Sequence, residues 1–132
     1  MNDYIDIADI VGKVIKEVIG LEEGSEEVFI ETECGTIYKF YHEQDCCENV
    51  RLYDYEVGSD DMSGALIISA EEVTSTDSPP LHYNDSWLWT FYKIETTKGE
   101  IWMRWLGESN GYYSESIDII KYKRFTNSQT IH

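Results

Sequence analysis

The run Trp87-Leu88-Trp89-Thr90-Phe91-Tyr92-Lys93-Ile94-Glu95-Thr96-Thr97-Lys98-Gly99-Glu100-Ile101-Trp102-Met103-Arg104-Trp105-Leu106 reads as two strands folded back on each other. Both arms are rich in aromatic and β-branched residues, and Lys98-Gly99 supplies the turn. Counting outward from that turn puts Leu88, Tyr92, Ile94, Ile101, Met103 and Trp105 on one face, an apolar set that predicts core. The other face carries Trp87, Trp89, Phe91, Trp102 and Leu106 with Lys93, Glu95 and Arg104. In this register Lys93 and Arg104 stand directly opposite, an unfavourable pair unless Glu95 or a bound anion lies between them.

Further strands flank this hairpin. Val28 to Thr32 and Ile37 to His42 surround Cys34-Gly35, and a two-residue turn there sets Phe29 against Phe40. Residues 49–57 and 65–73 predict two more strands, separated by the polar stretch 58–64, and residues 116–125 a last one. Ser75 to Asp85, with Pro79-Pro80, reads as a flexible loop, and Thr126 to His132 as a frayed end. Residues 7–19 have helical 3-and-4 spacing, yet five β-branched residues and Gly12 within 11–19 favour a strand there, after a helical turn at 3–9. The expected fold is mainly β, one domain over 1–132 with its core at about 10–125: an antiparallel sandwich or a small, partly open barrel with a short N-terminal helical turn.

Composition bounds the rest. At 132 residues, 42% hydrophobic and 14% aromatic, the chain has the apolar surface for a core. Its net charge of −16 disfavours direct nucleic-acid binding and anionic membranes, and no apolar run approaches a bilayer span. Residues 1–80 hold twenty acids and four bases, whereas 81–132 hold six of each, so the excess lies before the loop. An acidic surface repels nucleic acid and attracts a basic partner; it also simply solubilises. The start shows no secretory pattern, and three cysteines make no disulfide framework, so a reducing cytosol is the expected compartment and Asn84-Asp85-Ser86 a chance sequon.

Two segments carry a resemblance. Tyr41-His42-Glu43-Gln44-Asp45-Cys46-Cys47-Glu48-Asn49-Val50 is one; the other joins Trp89-Thr90-Phe91-Tyr92-Lys93 to Arg104-Trp105-Leu106-Gly107-Glu108-Ser109-Asn110-Gly111-Tyr112-Tyr113-Ser114-Glu115. Together they resemble an uncharacterised domain family of bacteriophages and prophages, with YHxQDCCExV, TWTFYK and RWxGESNGYYSE blocks, over about Val11 to Ile119. Leu88 replaces the usual threonine before Trp89. The resemblance implies phage or prophage origin and no chemistry.

The chemistry-bearing residues divide into three groups. His42, Cys46 and Cys47, with Asp45 or Glu48, form a candidate metal set, but adjacent cysteines at a strand end diverge, and His42 shares a face with Tyr38 and Phe40 as a core histidine would. A Cys–His nucleophile pair is disfavoured because Asp45 and Glu48 would raise a neighbouring thiol's pKa. Glu108 and Glu115 bracket a hydroxyl-rich turn and are the best acid–base candidates. On the aromatic face, Trp87, Trp89 and Trp102 would stack a planar ring, Lys93 and Arg104 hold a phosphate, and Glu108, Asn110 and Tyr112 complete a ligand or partner site.

Three functions follow. First comes a non-enzymatic phage protein that engages a host or phage protein in the cytoplasm and blunts a defence system, with reversal of charges in 22–33 as its test. Second is a binder of a small anionic, nucleotide-like ligand on the Trp/Arg face. Third is a small hydrolase using Glu108, Glu115 or the Cys–His group. No cofactor is implied.

Overall fold

Alternation of buried and exposed side chains sorts the strands into two antiparallel sheets packed face to face. The computed structural model describes residues 3–80, 85–111 and 113–123. Within them lie β1 (Asp3–Tyr4), β2 (Ile15–Ile19), β3 (Glu27–Thr32), β4 (Thr36–Tyr41), β5 (Asn49–Val57), β6 (Ile67–Ser75), β7 (Ser86–Thr96), β8 (Gly99–Ser109) and β9 (Asp118–Lys123). One sheet runs β1-β9-β4-β3-β2 and the other β5-β8-β7-β6. The architecture is an open sandwich, and the sheets do not close into a barrel.

The core is the meeting of the inner faces. Val28, Ile30, Tyr38 and Phe40 from the first sheet face Leu52, Tyr92, Ile94, Ile101, Met103 and Trp105 from the second. The Phe40 and Tyr92 rings meet edge to face, centroids 5.2 Å apart, across the interface. Strands β5 and β6, neighbours in sequence, occupy opposite edges of their sheet because the β7–β8 hairpin inserts between them.

Two turns shift the expected pairing. The β3–β4 connection spans three residues, 33–35, with Gly35 at φ 89°. Val28 therefore opposes Phe40, and Phe29 opposes Lys39. A slip of one residue reverses faces, so the expected Phe29–Phe40 pair does not form: Phe40 is fully buried while Phe29 lies on the outer side. In the β7–β8 hairpin the turn is Thr97-Lys98, and Gly99 follows it at φ 113°, pairing with Thr96. Phe91 then opposes Arg104 and Lys93 opposes Trp102, correcting the Lys93–Arg104 juxtaposition. That slip is two residues, so every side chain stays on its predicted face.

At the N-terminus the helical turn is a short 3-10 segment, Ile7–Ile10, which buries Ile7 and Ile10. Val11 and Gly12 turn the chain, so β2 begins at Ile15 rather than at Val11. Val14 bridges to Leu66, and Ile15 N–H donates to the Ala65 carbonyl, tying the sheets along one side. Asn84 of the sequon, Tyr112, part of the predicted 75–85 loop and the predicted frayed end at 126–132 lie outside the described residues. No helix among the described residues is long and apolar enough to cross a membrane.

Candidate functional site

The outer face of the β5-β8-β7-β6 sheet carries the aromatic and basic residues in cross-strand rows. One row reads Glu71, Lys93, Trp102, Glu56; the next reads Val73, Phe91, Arg104, Asp54; the third reads Ser75, Trp89, Leu106, Arg51. The Phe91 and Trp102 rings lie 5.8 Å apart on neighbouring strands. The face therefore gathers Trp87, Trp89, Lys93, Trp102 and Arg104, as the alternation predicts.

A bulge in β5 shapes the centre of this face. The register steps between Leu52 and Asp54, leaving Tyr53 as the extra residue. Leu52 points into the core, whereas Tyr53 and Asp54 both reach the outer face. Arg104 donates to both oxygens of Asp54, through Nε at 2.9 Å and Nη2 at 2.6 Å. This bidentate bond to Asp54, only partly offset by burial, pushes the Arg104 pKa up. The same guanidinium lies 4.9 Å from the Trp89 ring and 5.4 Å from the Tyr53 ring. The anion beside Arg104 is thus Asp54, not Glu95, and Lys93 pairs with Glu100 at 3.6 Å. Asp54 and Tyr53 were missed in the sequence because alternation alone does not place an inserted residue.

The chain after β6 folds over the tryptophans. Trp87 Nε1 donates to the Thr76 carbonyl at 2.9 Å, and Trp89 Nε1 to the Asp77 carbonyl at 2.8 Å. Between this loop and the sheet lies a cleft of about 650 Å³, walled by Tyr53, Val73, Asp77, Trp89, Phe91 and Arg104. A larger hollow of about 790 Å³ lies against β3 and β4; Glu26, Glu27 and Glu43 line it, and its Lys39 is bound to Glu27 at 2.9 Å.

At the end of β8, Glu108 and Glu115 are each held by side chains of the protein itself. Glu108 is buried, with Oε1 accepting from Arg51 Nη1 at 2.9 Å and Oε2 unpartnered. Glu115 accepts from Ser109 Oγ at 2.6 Å and Ser86 Oγ at 3.1 Å. Ser109 and Ser86 lie on the face opposite Glu108, so the two carboxylates do not converge. Asn110 is exposed beside Gly111, whose φ is 95°. Gly107 permits the loop to pack back, because a Cβ there would lie 2.8 Å from Glu115 Cβ.

His42 is a satisfied buried histidine. Its Nδ1 is 2.7 Å from the Ser116 carbonyl and its Nε2 is 2.7 Å from Glu48 Oε2. Glu48 also accepts from the Asp45 and Cys46 N–H groups. Burial raises the Glu48 pKa, but these two N–H groups and His42 outweigh it and hold the carboxyl at about 2. Cys46 and Cys47 are joined to each other, a vicinal disulfide where free thiols were expected; it closes a local ring and crosslinks no strands. Both ring nitrogens of His42 are engaged and both sulfurs bonded, so the candidate metal set does not assemble. No group of three His, Cys, Asp or Glu side chains among the described residues converges as metal ligands.

Residues 8–119 match a family described as a domain of unknown function (DUF7448), and the chain belongs to that family. No curated protein and no solved structure matches the chain.

Proposed function

We propose that this chain is a non-enzymatic binding protein of phage or prophage origin, acting in the host cytoplasm on a basic region of a host protein. One observation carries the reading: the described cations are largely consumed internally while the acids are not. Lys16, Lys39, Arg51, Lys93, Arg104 and Lys121 each lie against a carboxylate, of Glu31, Glu27, Glu108, Glu100, Asp54 and Asp9 respectively. Lys98 and Lys123 donate to the carbonyls of Ser63 and Cys34. Glu22, Glu23 and Glu26, by contrast, stand exposed together between β2 and β3. Such a surface steers a basic partner in and fits neither nucleic acid nor an anionic membrane.

The experiment is capture from host lysate at low and high salt, comparing the native protein with a Glu22→Lys, Glu23→Lys, Glu26→Lys variant. A basic host protein held by the native chain, released by salt and lost by the variant supports the reading; equal capture by both sinks its electrostatic form. Glu31 is left unchanged because it is buried.

A second reading has its own observation. The 650 Å³ cleft beside Trp89 has the size and aromatic walls of a small-ligand site. A nucleotide-like anion there must displace Asp54 from Arg104, so Arg104→Ala should abolish its binding without unfolding the protein.

A further inference from the structure

We infer that the cleft walled by Tyr53, Val73, Asp77, Trp89, Phe91 and the Asp54-paired Arg104 is an anchor site for a cationic side chain, arginine above all, carried on an extended segment of the partner protein. The inference rests on the reading of the chain as an acidic binding protein. Its first support is the chemistry of the walls. Guanidinium groups stack on aromatic rings, and this face already holds one so: Arg104 lies 4.9 Å from Trp89 and 5.4 Å from Tyr53. The cleft extends that aromatic surface outward past Phe91 to Val73, which is 53% exposed on the edge strand β6.

Charge decides between a cation and an anion. Arg104, Arg51 and Lys93 are each matched by Asp54, Glu108 and Glu100. Among the described residues no cation pairs with the side chains of Asp77 at the rim or of Glu56 and Glu71 on the same face. An incoming cation meets uncompensated carboxylates, whereas an incoming anion meets a guanidinium whose Nε and Nη2 are already given to Asp54. Val73 then offers apolar contact to a residue flanking the arginine.

The test is a titration of the isotope-labelled full chain with a blocked hexapeptide of alternating arginine and valine, followed by amide and indole N–H resonances. Matched peptides carry citrulline or glutamate in place of arginine, and inorganic phosphate is titrated separately. Saturable shifts at the Trp89 indole and at residues 53, 73, 77 and 91 are expected with the arginine peptide alone. Asp77→Asn should weaken them about tenfold while leaving the thermal midpoint in place. Shifts confined to Glu22, Glu23 and Glu26 would overturn the cleft as the anchor and leave the acidic-binder reading standing. Saturation at Trp89 by the citrulline peptide, the glutamate peptide or phosphate would overturn the cationic occupant. No saturable shift with the arginine peptide would also overturn the inference, and the binder reading is then judged separately by the charge-reversed variant.

Discussion

Arg104 Nη2 lies 2.6 Å from Asp54 Oδ2, and the pair joins the centre of β8 to the bulged edge of β5. Through it the most conspicuous cation of the aromatic face is turned to the molecule's own use. Both side chains are partly solvated, at 43% and 33% exposure, so the bond orients more than it stabilises.

Removing the carboxylate should therefore reveal the cation. Asp54→Asn is expected to lower stability by about 1 kcal/mol or less in chemical denaturation. It should also confer inorganic phosphate binding on the face, measured by calorimetry. Equal phosphate affinity in the two proteins would mean that Asp54 does not occupy the guanidinium.

Glu48 predicts an acid-limb pH dependence. Its carboxyl is held at about 2, below the usual 4.5, so ionisation favours the folded state. The contribution is complete above about pH 4.5 and is lost as pH falls toward 2. The denaturation midpoint of Glu48→Gln should lie below that of the native protein at neutral pH, and the gap should close on acidification. A gap independent of pH would contradict the hydrogen-bond account.

Gly107→Ala drives a methyl group into the backbone of Glu115. A loss of about 3 kcal/mol is expected, because main chain must move rather than a flexible side-chain tip. Gly111→Ala is the informative comparison: nothing stands within 4 Å of a Cβ there, so only its positive φ resists. A milder loss in Gly107→Ala than in Gly111→Ala would contradict the close approach of Glu115 to Gly107.

Cys34 should be the reactive thiol. The Thr32 hydroxyl, then the Thr36 hydroxyl and backbone, lower its pKa to about 6 against a small opposing effect of burial, with Lys13 adding to the same direction. Alkylation of the native protein should reach half its maximal rate near pH 6, and Thr36→Val should move that midpoint upward. Thiol counting should find Cys34 alone before reduction and all three cysteines after it.

The two hairpins show what alternation reveals and what it hides. In β7–β8 the turn lies one residue earlier than the Lys98-Gly99 reading, because Gly99 takes the left-handed position after the turn instead of within it. The resulting slip is even, so Tyr92, Ile94, Ile101, Met103 and Trp105 are core as read, and Trp89 and Arg104 share the outer face. In β3–β4 one additional loop residue makes the slip odd, and Phe29 and Phe40 part company. The candidate face was legible for the same reason of parity. Its closing partners were not: Tyr53 and Asp54 arrive through a bulge, and the loop arrives through indole hydrogen bonds that leave no periodic trace. The Cys46–Cys47 bond was also hidden, since adjacent cysteines read first as diverging side chains.

Those indole bonds hold the loop by the carbonyl oxygens of Thr76 and Asp77, atoms that every residue type possesses. The path of the chain over the cleft is thus decoupled from the identity of the side chains it displays. Substitutions at these two positions would change what the rim displays while leaving the two carbonyl acceptors that fix its path in place.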